Sequence, residues 1–344
     1  MGDRPVPARK AAAPLLHIIS HGPHCLDGVV SAVVVARYFE GVEAVPHFAT
    51  NREIDDVVRS ISQDSLPPGA EVWITDISWT TEAADDHLCR LAERGVKIYW
   101  FDHHRTALER YRAGAIRVPF ADAVVKEDYA AARLVYEYLE ARARREGKEH
   151  PSFAALRRLV AMADDNDRWL HRLEGSRELS LTVRAMAAGS RSLDPYHALL
   201  RADEEVTYTE EMQWAFERAT REIQASLELA ESSRLEVSVP GTGLSVVAAM
   251  CNGYPSEVAD RWAAGAKQTV FALYDARGLA VSLRRSPDCG ADLSRVAGVL
   301  GGGGHTAAAG CSVPALHHKL VGEMGRLVAE AVDSLYGGGG EQGE

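Results

Sequence analysis

Three short apolar runs in the first third of the chain each end on residues able to bind a cation. That repetition constrains the fold more than any other feature. LLHIIS (residues 15–20) runs into HGPHCLDG, which offers His21, His24, Cys25 and Asp27. EVWIT (71–75) runs into DIS, beginning with Asp76, and VKIYWF (96–101) runs into DHH, which is Asp102, His103 and His104. Helical segments separate the runs: DGVVSAVVVARYFEG, closing at Gly41, and the amphipathic TTEAADDHLCRLAERG, closing at Gly95; a weaker strand, AVPHFA, lies between them. Strands alternating with helices predict right-handed βαβ units and a parallel sheet. In such an open sheet ligands bind beyond the carboxyl ends of the strands, so the three donor-rich ends fall along one edge. A single carboxylate after a strand is usually a turn or helix-cap residue; three coincident ends are not explained that way.

Further along, EDYAAARLVYEYLEARARREG and FAALRRLVAMADD read as helices, the second leading into Asp164, Asp165 and Asp167 of MADDNDRW. Taken alone, that acidic group reads as a helix cap. After about Leu200 the pattern changes. EEMQWAFERATREIQASLELAESS forms one long predicted helix without a neighbouring strand. Beyond it, LSVVAAM, QTVFALYD and GLAVSLRRS read as strands, the last two a hairpin about the turn ARG. ADLSRVAGVLGGGGH is a helix running into glycines, and HHKLVGEMGRLVAEAVDSLY is a closing helix. The expected organisation is a disordered arm (1–13), an α/β domain (14–200), a helical connector (201–233), a smaller α/β domain (234–336) and a disordered tail (337–344).

Composition removes several classes of function. The 344 residues are 46% hydrophobic and 25% charged, which is soluble globular usage. No apolar run is long enough to span a bilayer, and the start lacks a convincing secretory core and cleavage site, so a cytoplasmic protein with no membrane partner is expected. The five cysteines are scattered and include no CxxC pair, against both a disulfide framework and a structural zinc module. A formal net charge of −11 disfavours broad binding to duplex DNA. It leaves room for a small phosphorylated ligand, because metal ions and a few arginines reverse the sign locally.

Carboxylate and imidazole donors without paired thiolates suit manganese or magnesium, with iron or zinc admissible. Several carboxylates with two or more histidines point to two ions rather than one, and two ions bridged by a carboxylate are the equipment of phosphoester hydrolysis.

HGPHCLDGVVSA, TDIS, FDHH and ADDNDRW, followed in order by SLRRS and GGGGHTAAAG, resemble the motifs of the DHH phosphoesterases that carry a DHH-associated C-terminal domain. The resemblance spans about residues 15–327. That family includes RecJ exonucleases, nanoRNases and cyclic-dinucleotide phosphodiesterases. The resemblance implies an N-terminal parallel-sheet domain, a smaller α/β C-terminal domain and a two-metal phosphoesterase, with manganese the expected ion. Its substrates would be short nucleotides: oligoribonucleotides, phosphoadenosine phosphate or dinucleotides. A nucleotide-binding regulator with weak or lost catalysis is the alternative.

Residue by residue, the resemblance implies that His21 and Asp76 bind the first ion. Asp27, Asp76 and His103 would bind the second, with Asp76 shared. Asp102 would hold His103, and His104 would face the scissile phosphate. Spacing to Trp169 makes Asp165 the last carboxylate ligand; a frame one residue earlier makes it Asp164. Cys25 stands where the family usually has an aspartate. Either it ligates and tilts the site toward iron or zinc, or it is a small packed residue and His24 substitutes. Arg284 matches an arginine for the substrate phosphate, and the loop with Gly303, Gly304 and His305 matches one that holds the substrate. Arg285 stands where the family more often has serine.

Overall fold

In a computed structural model the described residues are 16–336, apart from 65, 149, 188, 190 and 191. The expected arm (1–13) and tail (337–344) lie outside them. The chain divides between Ala219 and Thr220 into two compact units, and the division falls inside the long helix Glu210–Ser232.

The first unit is built on five strands, β1 (Leu16–His21), β2 (Ala44–Ala49), β3 (Glu71–Thr75), β4 (Lys97–Asp102) and β5 (Asp122–Val125). They pair in the order β2-β1-β3-β4-β5, every pair parallel. Alternate residues of each strand feed two separate cores, as the two-residue period of a pleated strand demands. Ile18, Trp73, Tyr99 and Phe101 face one core; Ile19, Val72, Ile74, Ile98 and Trp100 face the other. The second core is closed by the helices Ile54–Ser60, Glu82–Glu93 and Arg105–Arg112. The first is closed by Leu26–Tyr38 and, beside it on β3 and β4, Ala131–Glu146, with Arg157–Asp167 and Asp194–Leu200 packed on Leu26–Tyr38.

Leu26–Tyr38 carries a run of valines, which are poor helix formers because branching at Cβ restricts χ1. It is nevertheless helical because it is buried between the sheet and an outer helical layer, and a helix in that position is apolar all round. The predicted strand over 15–20 ends one residue later, so His21 is itself the last residue of β1.

The order β2-β1-β3 has a functional consequence. The chain leaves β1 outward to β2, then returns to add β3 on the other side. The two connections diverge, and a crevice opens at the carboxyl ends of β1 and β3. His21 ends β1 and Asp76 directly follows β3.

The second unit contains a six-stranded mixed sheet, ordered β10-β11-β9-β8-β7-β6. Its strands are β6 (Leu235–Val239), β7 (Leu244–Cys251), β8 (Thr269–Asp275), β9 (Ala280–Arg285), β10 (Gly303–Gly304) and β11 (Ala308–Cys311). Only β7 and β8 run parallel; β8 and β9 form the expected antiparallel hairpin. Helices Pro255–Ala263 and Leu293–Val299 cover opposite faces of the sheet. Among the described residues no helix is long and apolar enough to cross a membrane.

Candidate metal centre

Asp76 is the hub. It has a positive φ of 59°, a left-handed conformation that few non-glycine residues adopt. Its N–H donates to the Phe101 carbonyl at 2.9 Å, which extends the β3–β4 pairing by one residue before the chain turns. The carboxylate is buried, and its two oxygens face different partners. Oδ2 lies 3.5 Å from His21 Nδ1 and accepts from Cys25 Sγ at 3.3 Å. Oδ1 lies 3.3 Å from His103 Nε2 and 4.0 Å from His104 Nδ1.

Around His103 three carboxylates converge on one ring nitrogen. Nε2 is 3.3 Å from Asp76 Oδ1, 3.3 Å from Asp167 Oδ2 and 3.7 Å from Asp27 Oδ2. The result is three overlapping donor groups: His21, Cys25 and Asp76; Asp76, His103 and His104; and Asp27, His103 and Asp167, so that Asp76 joins the first two and His103 the last two.

Neighbouring backbone groups explain why these side chains sit still. Asp27 lies in the first turn of Leu26–Tyr38 and accepts from the N–H groups of Ala131 and Ala132, both at 2.8 Å, at the start of Ala131–Glu146. That helix start supplies orphan donors and a favourable dipole for a carboxylate. Gly28 lets the first helix approach β1. A Cβ there would lie 1.9 Å from the His21 carbonyl oxygen and 3.1 Å from Asp76 Oδ2. Ser20 Oγ donates to the Gly28 carbonyl at 2.6 Å and accepts from Thr75 Oγ1 at 2.9 Å, which ties the ends of β1 and β3 to the helix start.

Electrostatics support a cation at this position. Burial opposes ionisation of Asp76, yet His103, His21 and His104 hold its carboxyl well below the usual carboxylate range. Burial also opposes a charge on His103, but the three surrounding carboxylates push it up to about 10. Asp27 and Asp167 are both raised, first by desolvation and then by neighbouring carboxylates. Without a metal, a protonated His103 is therefore the cation that holds the group together. Asp76 Oδ1 and His103 Nε2 are buried and have no hydrogen-bond partner of proper geometry. Buried polar atoms are almost always satisfied, so two such atoms aimed at one space fit divalent ions held by carboxylate and imidazole.

Cys25 lies inside the first donor group. Its thiol is pushed well up, chiefly by burial and then by Asp76, so in the metal-free protein it is a hydrogen-bond donor rather than a thiolate. His24 is exposed beside Arg184 and joins none of the donor groups.

In two places the geometry differs from the expectation. The first concerns the last carboxylate: Asp167 lies in a donor group with Asp27 and His103, and Asp165 and Asp164 join none. Asp165 turns away and accepts from Arg172 N at 2.9 Å, Leu173 N at 3.3 Å and Ser176 Oγ at 2.6 Å. Asp164 accepts from Ala130 N at 2.8 Å and pairs with Arg133 at 3.2 Å. Both carboxylates are already committed to these donors. Asp167 ends the helix Arg157–Asp167, where the macrodipole disfavours negative charge. A carboxylate at that end is favoured by a cation beside it.

The second concerns Asp102, which holds His104 and not His103. Its Oδ1 accepts from His104 N at 2.9 Å and from His104 Nδ1 at 2.8 Å. A carboxylate accepting from the N–H two residues on is an Asx turn, a local geometry that favours the i+2 partner. Burial opposes charge on His104, but Asp102 outweighs it and raises the pKa. Because ionised Asp102 can only accept, His104 Nδ1 carries the proton, and Nε2 is the ring nitrogen left for other work.

In the second unit, Arg284 and the glycine hairpin lie on adjoining strands, with Arg284 in register opposite Ala308. Arg284 donates to Ser282 Oγ, the Leu283 carbonyl and Ser256 Oγ. Arg285, unassigned by sequence, donates to the Cys289 and Ala291 carbonyls and so holds the loop before Leu293–Val299. Two of the glycines have a structural cause: a Cβ on Gly302 would meet the Gly310 carbonyl oxygen at 2.1 Å, and one on Gly304 would meet Ala309 Cα at 2.6 Å. Gly303 is exposed with open space about it, and His305 closes the turn through its N–H to the Ala308 carbonyl at 2.7 Å.

No protein-family model matches the sequence, and no curated protein matches it. The fold, however, is similar to solved structures. One is a pGpG-specific phosphodiesterase, PggH, from Vibrio cholerae, at 13% identity and a TM-score of 0.53 over 90% of this chain and 99% of that one. Another is the DHH domain of a member of the s1p family of ribosomal proteins, at 15% identity and a TM-score of 0.56 over 87% of this chain and 83% of that one. A third is RecJ from Thermus thermophilus in complex with Mn2+, at 18% identity and a TM-score of 0.50 over 92% of this chain and 53% of that one. The chain thus spans about half the length of that RecJ.

Proposed function

We propose that this chain, which has the fold of the DHH family, is a divalent-metal-dependent phosphoesterase acting on short nucleotides. The observation that carries the proposal is the set of overlapping donor groups, two of which share Asp76, with Asp76 Oδ1 and His103 Nε2 buried and without a hydrogen bond of proper geometry. The fold likeness to a pGpG-specific phosphodiesterase and to a manganese-bound RecJ supports both the substrate class and the ion.

In this reading His21, Cys25 and Asp76 hold one ion, and Asp27, Asp76, His103 and Asp167 hold the other. Bound there, divalent ions supply a nucleophile at neutral pH and neutralise charge on the phosphoryl oxygens. The chain's own residues do the rest. Asp76 fixes the spacing of the two donor groups by using a different oxygen for each. Asp27, clamped by Ala131 and Ala132, holds its group against the helix start. Asp102 fixes the orientation of His104 and favours its charged form, in which Nε2–H stabilises negative charge on the reacting phosphate. Arg284 and the hairpin with Gly303, Gly304 and His305 serve nucleotide binding in the second unit; a guanidinium is suited to phosphate.

The test is a substrate panel of dinucleotides, longer oligoribonucleotides, cyclic dinucleotides and phosphoadenosine phosphate, run after chelation and again with manganese restored. Turnover that disappears with chelator and returns with manganese is expected for at least one short nucleotide. Undiminished turnover in chelator, or none on any member with manganese present, would contradict the proposal.

A further inference from the structure

The short loop between Asp167 and the helix Ser176–Met186 is not used by the mechanism above. It is built with care. Asp165 gathers it by accepting from Arg172 N, Leu173 N and Ser176 Oγ, and Leu170 N returns to the Asp165 carbonyl at 2.9 Å. Within the loop Trp169 and His171 both adopt left-handed backbone, with φ of 54° and 52°. Two such residues in one loop are a cost that packing does not offset, because Trp169 is 46% exposed. Its ring is nonetheless placed: His171 packs against it with centroids 4.4 Å apart, and the Arg177 guanidinium lies over it at 5.7 Å. Trp169 stands two positions after Asp167, a backbone reach of at most about 7 Å. That is comparable with the span from a phosphate to its own base in a nucleotide.

We infer that Trp169 is a stacking platform for the nucleobase next to the scissile phosphate, flanked by His171 and Arg177. The inference rests on the phosphoesterase reading and adds to it a positioning residue and a requirement for a base on the substrate. Every base presents a π-face, so a flat, fixed aromatic ring beside the metal centre selects for the presence of a base and is tolerant of its identity. The arginine beside the ring adds a cation for the neighbouring phosphate or base. The role explains why Asp165 is a buried structural acid: it shapes the loop that carries the ring, while Asp167 lies in the donor group.

The experiment compares wild type, Trp169→Ala and Trp169→Phe on a dinucleotide and on the same dinucleotide with the base next to the cleaved bond removed. All assays contain manganese, and melting temperatures are recorded for each protein. Trp169→Ala should raise KM for the intact dinucleotide about tenfold to a hundredfold with little change in kcat. It should leave the abasic compound unaffected, and Phe should restore most of the loss. Binding of a non-hydrolysable dinucleotide should also quench tryptophan fluorescence in wild type and quench it less in Trp169→Phe. That readout does not need turnover, so it separates failure of the platform from failure of the phosphoesterase reading. Equal effects of Trp169→Ala on the intact and abasic compounds would overturn the inference. So would unchanged KM with a melting temperature lowered by several degrees, which would make Trp169 a packing residue.

Discussion

Asp165→Asn and Asp167→Asn should have opposite signatures. The two acids are two residues apart on one helix, yet Asp165 holds the following loop and Asp167 is the proposed metal ligand. Asp165 is 3% exposed and accepts from three donors that fix the following loop. An amide keeps one acceptor oxygen and turns an NH2 toward donors. At about 1.5–3 kcal/mol for each hydrogen bond to a charged group, losing one or two amounts to about 1.5–6 kcal/mol. A unit of this size loses about 2–4 °C of Tm per kcal/mol, so Asp165→Asn should melt roughly 3–24 °C lower in chelator. Asp167→Asn removes one of three carboxylates crowded on His103 and takes a negative charge off a helix C-terminus, where it costs about 0.3–1 kcal/mol. Metal-free Asp167→Asn should therefore melt at the wild-type temperature or slightly above. Manganese titration should show the reverse ranking. Outer partners of metal ligands already cost about 10–100-fold in affinity when removed, so loss of a direct ligand should cost at least that in Asp167→Asn and far less in Asp165→Asn. The reasoning is refuted if Asp165→Asn keeps its stability and loses manganese while Asp167→Asn binds as wild type does.

Two further predictions test the scaffold and the sulfur. Gly28→Ala places a Cβ 1.9 Å from the His21 carbonyl, a backbone atom that cannot yield without moving β1; it should cost about 1–3 kcal/mol or more in melting experiments and also weaken metal binding, because Asp27 and His21 are displaced together. Unchanged stability would show that the close approach is not required. Cys25→Ala should keep the fold and lower manganese stoichiometry from two ions to one, while Cys25→Asp should hold both with a stronger preference for manganese over zinc. Two tightly held ions in Cys25→Ala would remove the sulfur from the donor set.

Much of the fold was legible in the sequence, for physical reasons that can be named. Buried parallel strands are near-continuous apolar runs, so EVWIT and VKIYWF marked β3 and β4, and the acids that stop them marked the ligand edge. The β8–β9 hairpin was visible because its strands alternate about a short turn. The strand Asp122–Val125 and the helix Arg105–Arg112 were not visible. Asp122–Val125 is four residues long and pairs at the sheet edge, and the helix spans only eight residues, four of them charged, so neither gives a long apolar pattern. Leu235–Val239 was missed because nearly all of it is exposed, which leaves no buried face to read.

At the site, residue types and strand ends were readable, but helix phase and local turns were not. Which of Asp164, Asp165 and Asp167 faces the metals depends on rotation of about 100° per residue and on where the helix stops. Which histidine Asp102 holds depends on an Asx turn at the end of β4. The glycines of GGGGH read as room for a ligand, whereas Gly302 and Gly304 are glycine because β10 and β11 pass too close for a side chain.

The account turns on one shared carboxylate, Asp76, serving two adjoining metal sites. Its most direct test is to count tightly bound manganese ions by calorimetry and elemental analysis in wild type and Asp76→Asn, with circular dichroism to show that both are folded. The account predicts two ions per wild-type chain and loss of both high-affinity sites in the folded variant. A wild-type chain that binds no manganese, or a folded Asp76→Asn that still binds two ions with wild-type affinity, would contradict it.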